Sequence, residues 1–232
     1  MTHLEEKHPL AIRWFHWINF PSLFLMIWSG LLIYWANDIY RVGWGQTTLL
    51  NLFPDWFYKA LNIPQRLAEG MSLHFFFMWL FVVNGVLYSL FLAISGEWRN
   101  ILPDRKSFRD ALLVMAHDLH LRAEAPPQGL YNGAQRLAYT GVIVMAIGSV
   151  ITGLAIYKPA QLSWLAQLLG GYATARLEHF WLMIGFLGFF AVHIGQVIRA
   201  GWDNFRSMVA GFSLVSEQGK AQSGETLSGQ TK

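Results

Sequence analysis

Four stretches of the chain contain no Asp, Glu, Lys or Arg: residues 14–37, 70–96, 137–157 and 179–198. Each is 20 residues or longer, enough for a helix to cross a hydrocarbon core of about 30 Å. The pattern predicts four transmembrane helices near 14–36, 71–95, 135–157 and 178–199. The first is too long for a signal-peptide core and no small-residue cleavage site follows it, so it is expected to remain in the mature protein.

Between the spans the pattern changes. Residues 37–70 combine Tyr40, Trp44, Trp56, Phe57 and Tyr58 with Pro54 and Pro64. That mixture reads as a short helix at the membrane interface, where Trp and Tyr prefer to sit, or as a docking surface for a partner on the outer side. In the loop 97–133, the run KSFRDALLVMAHDLHL repeats its apolar residues at helical spacing, which predicts an amphipathic surface helix. Pro126, Pro127 and Gly129 then break the chain. From Ser216 onward Ser, Gly, Gln, Glu, Thr and Lys dominate, a composition that favours disorder. The expected organisation is one transmembrane domain over 1–212 and a disordered tail over 213–232. The expected fold is an all-α four-transmembrane-helix bundle with an interfacial outer segment and an inner amphipathic helix.

Composition agrees with the pattern. Only 13% of the 232 residues are charged and 54% are hydrophobic, whereas soluble domains approach a quarter charged. Lys and Arg fall twelve on the side of the N-terminus and five on the other. The excess marks the cytoplasmic side, so both termini are expected in the cytoplasm. The net charge of +3 is a topology signal, and nothing points to a nucleic-acid partner. The chain has no cysteine, which excludes disulfides, cysteine-ligated iron–sulfur clusters and covalent c-type haem. A metal cofactor would need His, Met or oxygen ligands.

Four of the eight histidines lie inside or at the ends of the spans: His16, His74, His179 and His193. Ionisable residues in spans are rare and usually face the bundle interior or a functional group. Because the helices alternate in direction, His16 and His193 share the inner depth, and His74 and His179 the outer. His179 and His193 are 14 residues apart, about 21 Å of rise and about 40° short of four turns, so they lie on nearly one face. Two imidazoles from facing helices suit the two axial positions of a haem iron, and two such layers suit two haems. Zinc would normally take four ligands, and only Glu178 offers a carboxylate nearby. A proton relay would place ionisable groups at the midplane, where none occur.

Other residues carry less. Each histidine by itself reads equally as a helix-end residue bonded to a carbonyl. His3 and His8 read as solvated, and His117 with His120 as a wet helix face or an i, i+3 metal pair. Gly30, Gly85, Gly141, Gly148, Gly153, Gly185, Gly188 and Gly195 fall within spans; they could admit flat rings or serve ordinary helix packing. Arg13, Arg176 and Arg199 stand beside ligand-bearing ends and could pair with haem propionates, or snorkel to the interface.

RWFHWINF at 13–20, LHFFFMWLFVVNG at 73–85, YNGAQRLAY at 131–139 and LEHFWLMIGFLGFFAVHIGQV at 177–197 resemble the bacterial di-haem cytochrome b family. This family includes the membrane cytochrome b subunits of nickel–iron hydrogenases, formate dehydrogenases and thiosulfate reductase-like enzymes. The likeness covers roughly residues 8–205, and the His-x13-His spacing is its most specific element. It implies two non-covalent b-type haems, each held by two histidines, and electron exchange with a membrane quinone near the inner haem. In the family a Tyr-Asn-x-x-Gln-Lys/Arg segment lies by the quinone pocket. Here that segment reads Tyr131, Asn132, Gln135 and Arg136, which become candidate quinone contacts; the same residues read equally as a cap for the third span. The long segment 37–70 departs from shorter members of the family.

The leading expectation is a membrane anchor and electron conduit, with a periplasmic oxidoreductase subunit as partner, by family analogy one carrying a molybdenum cofactor. With no nucleotide motif in the chain, substrate chemistry is expected on that subunit. Rival readings are a stand-alone quinone oxidoreductase, a histidine-containing transporter and a haem-free anchor.

Overall fold

The computed structural model describes residues 2–6, 9–36, 42–44, 47–123 and 131–216. In chain order, strand β1 (Thr2–Glu6) is followed by helix α1 (Leu10–Trp35) and strands β2 (Val42–Trp44) and β3 (Thr47–Leu50). Helices α2 (Asp55–Ala60), α3 (Leu67–Ser95), α4 (Trp98–Ile101) and α5 (Ser107–Asp118) come next. Then come α6 (Gly133–Tyr157), α7 (Ser163–Leu168), α8 (Tyr172–Ala200), α9 (Trp202–Ala210) and strand β4 (Phe212–Ser216).

α1, α3, α6 and α8 are long and apolar enough to cross a membrane, and they coincide with the four predicted spans. Each begins two to six residues earlier than the predicted span. The added turns hold Arg13, Glu69 and Arg176, because a helix keeps its backbone hydrogen bonds after it leaves the hydrocarbon and long polar side chains reach the interface.

The chain forms two compact units, residues 1–20 with 190–232, and residues 21–189. In the first, β1 pairs antiparallel with β4, Thr2 opposite Ser216 and Glu6 opposite Phe212. Residues 213–216 are therefore strand, where composition led us to expect disorder. Pairing between chain ends is non-local and leaves no mark in a short window of sequence. Residues 217–232, like His8, lie outside the described residues. α9 is pinned to the start of α1: Arg13 Nη1 donates to the Val209 carbonyl at 2.9 Å and Trp17 Nε1 to that of Met208 at 3.0 Å. Both carbonyls belong to the last turn of α9, where the helix leaves acceptors unsatisfied.

In the second unit, the segment 52–66 folds onto α1 and α8 rather than standing apart. Tyr34 stacks on Phe180 at 4.7 Å with Phe53 edge-on to Tyr34 at 5.8 Å. Tyr58 and Ile63 are buried beneath, with Leu31 and Leu32. α2 is the predicted short helix, and its Trp56 points outward. α5 is the predicted amphipathic helix: it lies on α6 through buried Ser107, Ala111 and Val114. The adjoining face exposes Phe108, Leu112 and Met115, a composition suited to a membrane surface.

Candidate functional site

Within residues 21–189, α3 brings His74 to face His179 of α8, with ring centroids 6.2 Å apart and planes at 73°. Each ring is fixed through its Nδ1. Ser29 Oγ of α1 lies 3.0 Å from His74 Nδ1, and Thr152 Oγ1 of α6 lies 2.9 Å from His179 Nδ1. These contacts place the late turns of α1 and α6 beside the early turns of α3 and α8, as helices alternating in direction require. Gly30 and Gly153 lie against the same two rings, at His74 Cε1 and His179 Cε1.

Within the other unit, His16 of α1 faces His193 of α8 with ring centroids 6.1 Å apart and planes at 55°. The four histidines thus come together in the two pairs the sequence predicted, and no third His, Asp or Glu joins either pair among the described residues.

Two imidazoles placed on opposite sides of one metal, with bonds of about 2.0 Å, have ring centroids roughly 6 Å apart. Both pairs match that separation. Two donors alone leave a metal under-coordinated, so the set fits an iron whose other four donors come from a macrocycle.

The remaining candidates divide. Asn132 and Gln135 form a capping box at the start of α6: Asn132 Oδ1 accepts from Gln135 N at 2.9 Å and Gln135 Oε1 from Asn132 N at 3.0 Å. Arg136 donates to the carbonyls of Asn100 and Arg99 at 2.9 and 3.2 Å and pairs with Asp104 at 2.9 Å. Tyr131 packs edge-on to Tyr139 at 5.3 Å, and burial pushes its phenol above the usual range. Arg176 lies over the Tyr172 ring at 5.9 Å. Arg13 spends Nη1 on α9, while its Nε is buried with no hydrogen-bond partner among the described residues. His117 lies 3.5 Å from Asp118, and no group of three metal-ligating residues forms around it among the described residues. Of the eight glycines in spans, Gly148 and Gly185 abut the side chains of Leu182 and Met145, as in ordinary packing.

Ser29 and Thr152 escaped the sequence reading. The available signal was a hydroxyl residue followed by glycine inside an apolar span, WSG at 28–30 and ITG at 151–153. That signal is weak, since most hydroxyls in spans bond their own helix.

Four apolar helices, three of them carrying imidazoles that face in twos, define the class, a multi-pass membrane protein suited to a metallated macrocycle. A family model described as prokaryotic cytochrome b561 matches residues 7–211. The chain belongs to that family, and it is a membrane cytochrome that binds b-type haem. It is 31% identical over 191 residues to a putative protein-methionine-sulfoxide reductase subunit, YedZ1, of Azospira oryzae, covering 82% of this chain and 89% of the relative.

Proposed function

We propose that the chain is the di-haem electron-transfer subunit and membrane anchor of a quinone-linked oxidoreductase, with His74/His179 and His16/His193 as the axial ligands. The observation that carries the reading is the pair of centroid separations, 6.2 and 6.1 Å, each suited to two imidazoles on one iron. Held between two histidines at each site, haem would supply one-electron exchange rather than a binding position for substrate. The chain's own residues hold and orient the groups: four histidines ligate, and Arg13, Arg176 and Arg199 are the partners for propionates. The buried Nε of Arg13 retains a donor for such a carboxylate.

The lysine and arginine distribution supports a plasma-membrane protein with both termini cytoplasmic, the His74/His179 pair outermost. A periplasmic partner then meets the outer haem, and the name of the Azospira relative supports one that performs reductase chemistry. A molybdenum cofactor on that partner fits the family analogy. Quinone belongs at the inner end. Beside the Arg136 cluster lies an apolar cavity of about 420 Å³ lined by Ser89, Leu92, Trp98, Ile101, Thr140 and Val144, among others, a suitable place for an isoprenoid tail. Asn132, Gln135 and Arg136 border the same helix start.

The test is a reduced-minus-oxidised visible spectrum of the purified chain with haem stoichiometry. Two b-type haems per chain are expected. None would overturn the reading, and one would overturn the second ligand pair.

A further inference from the structure

We infer that Ser29 and Thr152 are positioning residues that set the tautomer, orientation and electron-donating strength of the two outer haem ligands. The inference rests on the assignment of His74 and His179 as those ligands. It comes from where the hydroxyl hydrogens go. Ser29 Oγ lies 2.6 Å from the Leu25 carbonyl and 3.1 Å from that of Met26. Thr152 Oγ1 lies 2.7 Å from the Gly148 carbonyl and 3.3 Å from that of Ser149. A carbonyl only accepts, and two oxygens at 2.6–2.7 Å must share a hydrogen. Each hydroxyl therefore donates its single proton backward along its own helix. The contact to histidine can then run in one direction only, from Nδ1–H to the hydroxyl oxygen. That fixes the proton on Nδ1 and leaves the lone pair on Nε2, the nitrogen presented to iron.

The device is built twice. In each copy the hydroxyl comes from the long helix preceding the histidine helix, and the next residue is glycine, Gly30 or Gly153, against Cε1 of the same ring. Both hydroxyl residues are buried, Ser29 at 0% and Thr152 at 4% exposure, so water does not compete for the bond. A neutral hydroxyl also orients the ring without placing a carboxylate in the span, which would be costly there. Accepting from Nδ1–H raises the ligand's basicity, which favours the ferric state. Removing the acceptor therefore raises the reduction potential.

The experiment uses the full haem-loaded chain, with Ser29→Ala, Thr152→Ala and the double variant compared by potentiometric titration of the visible bands. Each alanine variant should shift the outer haem's midpoint upward by about tenfold in its redox equilibrium, ~59 mV for one electron. Haem retention should weaken by about 10–100-fold, and the inner haem should titrate unchanged. Ser29→Thr and Thr152→Ser should keep the native potential. If an alanine variant sheds the outer haem, Ser29→Cys keeps a similar volume with a weak acceptor and should show the upward shift. Outer-haem potentials equal to the native value in both alanine variants, or in Ser29→Cys where alanine sheds haem, overturn the inference. A native chain whose haem content is unaffected by His74→Ala and His179→Ala overturns the ligand assignment instead, and is recognised before any hydroxyl variant is measured.

Discussion

Arg136 Nη1 lies 2.9 Å from Asp104 Oδ2, tying the first turn of α6 to the loop that leads into α5. The other Asp104 oxygen, Oδ1, accepts from Lys106 N at 3.0 Å and from Ser107 N and Oγ at 2.9 Å, so one carboxylate organises both helix starts. The Ser107 hydroxyl, then the two backbone N–H groups and Arg136, hold the Asp104 carboxyl below the usual range.

The sign of the pH dependence follows. A carboxyl whose folded pKa is depressed stabilises the fold above its unfolded pKa, and the stabilisation is lost as pH falls through the folded value. Docking of α5 onto α6 should therefore loosen below pH ~4. Limited proteolysis within residues 107–118 should accelerate there in the native chain. Asp104→Asn should cleave faster at neutral pH and lose most of that acid dependence.

The capping box gives Asn132 and Gln135 a role that needs no quinone. Asn132→Ala should destabilise the start of α6 by about 1 kcal/mol, seen as a lower unfolding midpoint in detergent, whereas Asn132→Asp should hold it. Quinone-dependent haem turnover measured on the same two variants separates the roles. A fall in Asn132→Asp, which keeps the cap, would assign quinone contact as well.

Histidine pairing is testable by deletion. His16→Ala and His193→Ala should each remove the same spectral component, and His74→Ala and His179→Ala the other. Haem content should drop from two to one in every case. Loss of the same component from His16→Ala and His179→Ala would contradict the pairing.

The segment after β3 is part of the core. Ile63, at 0% exposure, should cost about 2–5 kcal/mol when cut to alanine, read as a lower unfolding temperature. Trp56→Ala, at 70% exposure, should leave that temperature unchanged. If Trp56→Ala instead weakens electron exchange with a partner subunit, this surface is the docking face.

The amino-acid sequence by itself determined the spans, their alternation and the four candidate ligands. The cause is physical: hydrocarbon tolerates neither charge nor unpaired backbone, so both exclusions and exceptions are written in plain composition. His74 and His179 stood out because imidazoles are rare in such company, and alternation of the helices sorted them by depth. Only the tertiary structure decided what surrounds them. Ser29 and Thr152 satisfy their own hydrogens on their own helices, so in sequence they look like any hydroxyl in a span; the ring that uses their remaining lone pair arrives from 45 and 27 residues away. The same holds for β4, whose partner strand lies at the other end of the chain, and for Arg13, whose acceptor is 196 residues distant. Burial preferences act on each residue locally, whereas a hydrogen bond between helices exists only once the fold has brought donor and acceptor together.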